Sequence, residues 1–198
     1  MDLDALGGIV TKAVTPEPRR GHPAPRVAEF AGGMLNAVGL ANPGLEVVAV
    51  EDLPWLAARL LRARVLVNVA GATIADYERV LERLSDTVGV TAFEINASCP
   101  NTAAGGLEFG STAAGLAELV RRCRRRTLKP LVIKLSPILP DLPAMAGVAQ
   151  QEGADAVSLV NTLPGALADR LGNRFGGVSG PALLPIGMGF LTGLNLCP

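Results

Sequence analysis

Five polar residues, Lys12, Asn68, Asn96, Lys134 and Asn161, stand at or near the ends of short apolar runs. The two lysines can neutralise an anion or stabilise negative charge on an electron-rich ring. The three asparagine amides each offer one donor and one acceptor group. Together they suit a neutral-to-anionic heterocycle with alternating carbonyls and N–H groups. Acidic metal ligands are missing from these ends, which disfavours metal-ion catalysis. The only histidine, His22, lies in a Pro-rich stretch and is expected to be solvated, so a Ser-His-Asp triad has no base. Cys99 is then the candidate for proton chemistry. It follows the third apolar run in Asn96-Ala97-Ser98-Cys99-Pro100-Asn101, flanked by amides. A thiol has an unperturbed pKa of about 8.5, and neighbouring positive charge lowers it toward working pH.

The elements that must hold these groups alternate. Apolar runs at 7–12, 65–70, 90–96, 131–135 and 156–161 read as strands. Helices are expected at about 42–62, with Asn42 as N-cap, Pro43 at the first helical position and an interruption near Pro54. Further helices are expected at about 73–85, 111–126 and 141–152, the last capped by Asp141. The segment 16–25 is too rich in proline for helix or central strand. The strands read as apolar almost throughout, the mark of a parallel sheet buried on both faces with the helices as crossovers. Such repeats suggest a doubly wound sheet or a (β/α)8 barrel. Polar groups gathered at the strand ends favour the barrel, whose active-site face is built there.

Composition bounds the alternatives. The chain has 198 residues, 49% hydrophobic and 18% charged, which is ample for a core. Lys+Arg and Asp+Glu balance at 18 each, against a general electrostatic grip on nucleic acid or an anionic membrane. Seven aromatic residues give little material for a base-stacking platform. Cys99, Cys123 and Cys197 are odd in number and widely spaced, unlike a zinc or disulfide framework. The start MDLDALGGIV lacks a basic signal region, and no apolar run approaches the roughly 20 residues of a membrane span. A cytoplasmic location is expected.

Several motifs, in order, carry a family resemblance: IVTKAVTPEPR at 9–19, PRVAEFAGGMLNAVGLANPG at 25–44, VNVAG at 67–71 and EINASCPN at 94–101. GGLEFG at 105–110, IKLSP at 133–137, SLVNT at 158–162 and GGVSGPALLPI at 176–186 follow. The sequence resembles the catalytic subunit of class 1 dihydroorotate dehydrogenase, most closely the class 1B, NAD-linked type. The resemblance implies an α/β fold, a partial (β/α)8 TIM barrel with about five of the eight parallel strands. It implies FMN-dependent oxidation of dihydroorotate to orotate in pyrimidine (UMP) biosynthesis.

Residue by residue, the resemblance makes Cys99 the general base that takes the C5 proton while hydride passes from C6 to the flavin. It places Lys12 at the edge of flavin and substrate. Asn36, Ala37, Val38, Gly39 and Leu40 match the substrate loop, and Asn96, Asn101, Asn161 and Thr162 match contacts to the pyrimidine ring. Lys12, Asn68, Asn96, Lys134, Val160 and Gly180 match FMN contacts. A separate FAD and iron–sulfur electron-transfer subunit is implied, around a homodimer core of a heterotetramer.

Two departures shape the expected domain plan. The family has a strand and helix before the segment that begins here at Leu6, and the resemblance fades after Ile186. An incomplete FMN and substrate domain is therefore expected at 1–186, and a divergent tail at 187–198 in which Cys197 has no role. A chain truncated at both ends, lacking the Gly-rich loops that hold the FMN phosphate, is expected to be inactive by itself. A non-catalytic fragment and a related flavin-dependent pyrimidine-reducing enzyme are the alternatives. The run RRCRRR at 121–126 reads as a solvated helix end, with a nucleic-acid patch as its rival.

Overall fold

The computed structural model describes residues 2–98, 100–101, 107–139, 141–167 and 170–194, with only the backbone for Pro100, Asn101, Leu107 and Glu108. In chain order the elements begin with β1 (Gly8–Val10), β2 (Val27–Phe30) and β3 (Gly33–Asn36). A helical stretch follows: α1 (Leu45–Val47), a π-helical segment (Val48–Asp52) and α2 (Leu53–Ala57). Next come β4 (Arg64–Val69), α3 (Ile74–Leu84), β5 (Val90–Asn96), β6 (Pro100–Asn101), β7 (Leu107–Glu108) and α4 (Ala113–Arg124). The chain continues with β8 (Leu131–Lys134), α5 (Leu142–Gln151), β9 (Ala156–Ser158), β10 (Leu163–Ala166), β11 (Phe175–Ser179) and α6 (Leu184–Leu194).

Five strands pair in parallel in the order β1-β4-β5-β8-β9. Helices connect them as crossovers, and the sheet curls into part of a (β/α)8 barrel, as expected. The strands do alternate, contrary to the expectation from their apolar look. Register aligns Val67 with Phe93, Val69 with Ile95, and those two β5 residues with Leu131 and Ile133. All six are fully buried in the main core. The residues between them face the other way: Asn68 beside Glu94, and Asn96 beside Lys134 beside Ser158. Period-two geometry thus puts one apolar face under the helices and one polar row inside the curl.

Local chemistry sets the helix starts. Thr73 caps α3 by accepting from Asp76 N, while the Asp76 carboxylate accepts from Thr73 N at 2.9 Å, a reciprocal capping box. Tyr77, Val80, Leu81 and Leu84 then fall on one buried stripe. Thr112 caps α4 and Asp141 caps α5, the latter as expected. Asn42 is not an N-cap. Its Oδ1 accepts from Thr15 N and Gly44 N, and Gly44 precedes the helix instead. Those two bonds tie the start of the Pro-rich segment to the helix entrance. The irregularity foreseen at Pro54 appears one turn earlier, as the π-helical segment.

A second sheet was not apparent in the sequence. Strands β10-β11-β3-β2 form an antiparallel sheet with a small core of Leu35, Ala37 and Leu171. Its strands come from the segments around 25–44 and 163–179, far apart in sequence. Gly177 lies opposite Asn36, where a Cβ would stand 2.0 Å from Thr162 Oγ1, so only glycine permits this approach. Helix α6 occupies most of the expected tail, while Cys197 lies outside the described residues.

The basic run is more than a solvated helix end. Arg122 and Arg126 both bond the buried Glu78 of α3, Arg121 pairs with Glu152, and Arg124 pairs with Asp155. The Arg122 guanidinium, with Arg126, holds the Glu78 carboxyl below its ordinary range. Burial pushes the Cys123 thiol up to about 12, so that cysteine is an inert core residue. Among the described residues no helix is long and apolar enough to cross a membrane.

Candidate functional site

The polar row opens into a cavity of about 830 Å³ at the C-terminal ends of the parallel strands, beneath the antiparallel sheet. That volume lies within the usual range for a site that takes a cofactor-sized ligand. Lys12, Asn68, Asn96, Lys134 and Asn161 all line it, so the five strand-end residues converge on one rim. Asn36, Ala37, Val38, Gly39, Leu40 and Thr162 line the same space from the second sheet and its loops.

Hydrogen bonds orient several of these groups. Asn96 is pinned through its carbonyl by the Tyr77 hydroxyl at 2.8 Å. Its side-chain Oδ1 accepts from Asn161 Nδ2 at 3.4 Å, and Asn161 Oδ1 accepts from Thr162 N at 2.9 Å. That bond uses the Asn96 oxygen as an acceptor, so its N–H groups are the end the amide can offer a ligand. Asn36 Nδ2 donates to the Gly177 carbonyl at 3.2 Å, bracing the far wall. In the loop between these walls, Gly39 and Leu40 both have positive φ, 71° and 56°. Leucine rarely adopts that conformation, and such backbone clusters where a loop must meet a ligand.

The lining residues that the sequence did not single out include Glu94, Ser98, Asn173 and Phe175. Glu94 is buried and accepts from Asn68 Nδ2 and from Ser158 Oγ at 2.8 Å. The spacing carried a signal, because Glu94 stands two residues before Asn96 and so shares its strand face. An acidic group is therefore present in the row after all, though it is engaged by neutral donors. Ser98 lines the cavity, and its buried Oγ has no hydrogen-bond partner among the described residues. Asn173 and Phe175 approach from the loop before β11 and its first residue, a placement that depends on the second sheet.

His22 also lines the cavity rather than standing in solvent. Its Nδ1 donates to the Ala37 carbonyl at 3.1 Å, and its main-chain N–H donates to Val38 O. The Pro-rich segment is held against the 37–40 loop in this way. Val160 and Gly180 do not line the cavity. Val160 packs on the main core, and Gly180, with φ 103°, precedes a 3-10 turn where a Cβ would meet Gly33 at 2.9 Å. Asn101 contributes backbone to β6, and its side chain lies outside the description. Cys99 lies outside the described residues, directly after Ser98.

A family model described as Dihydroorotate dehydrogenase matches residues 1–195. The catalytic subunit of dihydroorotate dehydrogenase B (NAD(+)) from Geobacillus kaustophilus is 46% identical over 191 residues, covering 93% of this chain and 60% of that protein. The counterpart from Cutibacterium acnes is 48% identical, covering 93% of this chain and 62% of its own. A Solibacter usitatus relative, provisionally named for the A (fumarate) type, is 45% identical over 197 residues and is covered to 64%. The chain thus spans about three-fifths of the length of these relatives. Among solved structures, Proteus mirabilis N-acetylneuraminate lyase matches with a TM-score of 0.50 at 13% identity, over 74% of this chain and 50% of that one. That likeness is one of fold alone.

Proposed function

The chain belongs to the dihydroorotate dehydrogenase family, and we propose that its cavity is the site where FMN-dependent oxidation of dihydroorotate to orotate takes place. The observation that carries this is convergence. Lys12, Asn36, Asn68, Asn96, Lys134, Asn161 and Thr162 come from six separate segments and line one space. Ser98, the residue before Cys99, lines it too.

The donor set fits a flavin beside a small heterocyclic acid. The cavity offers two ammonium groups, several amides and the Ser98 hydroxyl in a half-buried setting. Lys12, Asn68, Asn96 and Lys134 would hold the flavin, and Lys134 supplies positive charge where negative charge develops on its ring. Bound FMN supplies acceptance of a hydride equivalent. Cys99 takes the C5 proton of dihydroorotate as general base, while the C6 hydride leaves from the neighbouring carbon. Asn36, the 37–40 loop, Asn96, Asn161 and Thr162 orient the pyrimidine ring, with Asn101 as a further contact. Val160 and Gly180 remain assigned to FMN on the motifs alone.

The names of the Geobacillus and Cutibacterium relatives, catalytic subunits of an NAD(+)-linked enzyme, support a separate electron-transfer subunit for this chain. We assign that subunit FAD and an iron–sulfur cluster, around a homodimer of the catalytic chain. The Solibacter name supports direct reoxidation by fumarate as the second reading. Equilibrium titration of the assembled enzyme with FMN and orotate tests the site itself. Both should bind saturably, and Asn36→Ala should weaken orotate about tenfold while changing FMN little, as expected for loss of one bracing contact. Absence of binding by both ligands would overturn the assignment.

A further inference from the structure

Among the described residues lining the cavity, the one acidic side chain is Glu94. It is 7% exposed, and its neighbour Asn68 is 5% exposed. The two stand side by side in the β4–β5 register. Asn68 Nδ2 donates to one Glu94 oxygen, and Ser158 Oγ donates to the other at 2.8 Å. Ser158 reaches Glu94 from two strands away, across Val132, the β8 residue in register with Glu94.

A carboxylate that only accepts dictates which end of a neighbouring amide faces it. Turned the other way, Asn68 would set its own oxygen against the carboxylate oxygen, a repulsive contact inside a poorly solvated space. The Asn68 amide therefore has one favoured orientation, in which Oδ1 is the end left for a ligand. Ser158 holds the second Glu94 oxygen, so the carboxylate cannot easily rotate away. Asn96, by contrast, uses its oxygen to accept from Asn161, so its N–H groups are the end it can offer a ligand. Two asparagines of the same type are thus set to opposite polarity by their neighbours.

We propose that Glu94 is a positioning residue that fixes Asn68 as a hydrogen-bond acceptor in the cavity, selecting a ring that presents an N–H there. This rests on the cavity being a flavin site, since the flavin ring carries one N–H between two carbonyls. Glu94 itself touches no ligand in this role. Removing it changes which ring edge is accepted, rather than simply lowering affinity.

The test uses two neutral, phosphate-free probes, lumiflavin and its 3-methyl derivative, titrated against the full chain by ligand-observed NMR. The parent should favour lumiflavin about tenfold, the usual worth of one hydrogen bond together with the penalty for an unpaired acceptor. In Glu94→Gln the new amide can donate to Asn68 Oδ1 while its oxygen still accepts from Ser158, so Asn68 turns over. The preference should then shrink to within about threefold, with lumiflavin losing most of the affinity. A merely structural role would weaken both probes together and leave their ratio unchanged. Ser158→Ala, a milder change, should lower the ratio part of the way and covers the case in which Glu94→Gln does not fold. An unchanged ratio in the folded variants overturns the role of Glu94 alone. No binding of either probe by the parent overturns the flavin assignment and, with it, this inference.

Discussion

The hydroxyl of Tyr77, on the buried stripe of α3, donates to the main-chain carbonyl of Asn96 at 2.8 Å. The ring of Tyr77 also meets Phe109 edge-on, with centroids 5.5 Å apart. Asn96 ends β5, where the chain leaves the sheet for the Ser98–Cys99 segment. One buried phenol therefore joins the helix layer to the rim that carries the site. The Thr73–Asp76 capping box fixes where α3 begins, and so which residue of the helix reaches Asn96.

Tyr77→Phe should keep the ring packing and lose this bond. A buried carbonyl left without its donor costs about 1–2 kcal/mol. Urea denaturation should show a lower midpoint with an unchanged slope. Orotate affinity should also fall, because Asn96 loses its fixed position. An unchanged midpoint would mean that the bond contributes nothing net.

Lys134 and Lys129 stand at opposite ends of β8 and should separate cleanly. Lys134 lines the cavity, so Lys134→Ala should weaken FMN at least tenfold, the scale of a charge-assisted hydrogen bond. Lys129 is not simply solvated, as its place in the sequence suggests. Its Nζ donates to the Val90 carbonyl at 2.7 Å, tying β5 to the entrance of β8. Lys129→Ala should therefore cost roughly 1 kcal/mol of stability and leave FMN affinity alone. Equal effects on FMN would contradict the placement of Lys134 on the cavity wall.

Glu78 makes stability depend on acid. Its carboxyl is held below the ordinary value of 4.5, first by Arg122 and then by Arg126. A lowered folded pKa gives a contribution that is complete above the unfolded value and is lost as pH falls through the folded one. Glu78→Gln should thus destabilise at neutral pH by roughly 1 kcal/mol, since both guanidiniums are partly solvated. The difference between parent and variant should shrink below about pH 4.5, where the unfolded carboxyl protonates. Thermal unfolding from pH 3 to 7 reads this directly, and a constant difference would contradict it.

The five parallel strands and most helix limits were legible because apolar runs and caps are local signals. Thr73 followed by Asp76, and Asp141 followed by Ala144, needed nothing beyond a few neighbouring residues. The strand-end row was legible for the same reason, since Lys12, Asn68, Asn96, Lys134 and Asn161 each stand at or near the end of an apolar run. The antiparallel sheet was not, because Asn36 pairs with Gly177 across most of the chain, and four-residue strands carry little periodicity. His22 was misjudged on the same account, its surroundings being assembled by that sheet. Glu94 was obscured by the apolar look of VTAFEIN, in which Phe93 and Ile95 sit in the helix-covered core while Glu94 and Asn96 face the cavity.

Stopped-flow reduction of the flavin in the FMN-loaded holoenzyme by dihydroorotate, in the absence of oxygen, tests the proposed chemistry most directly. The parent should bleach in a single rapid phase. Cys99→Ala should retain its flavin and bleach about 10²–10⁴-fold more slowly, the usual cost of removing a general base. Bleaching of Cys99→Ala at the parent rate, or no bleaching of the parent by dihydroorotate, would contradict it.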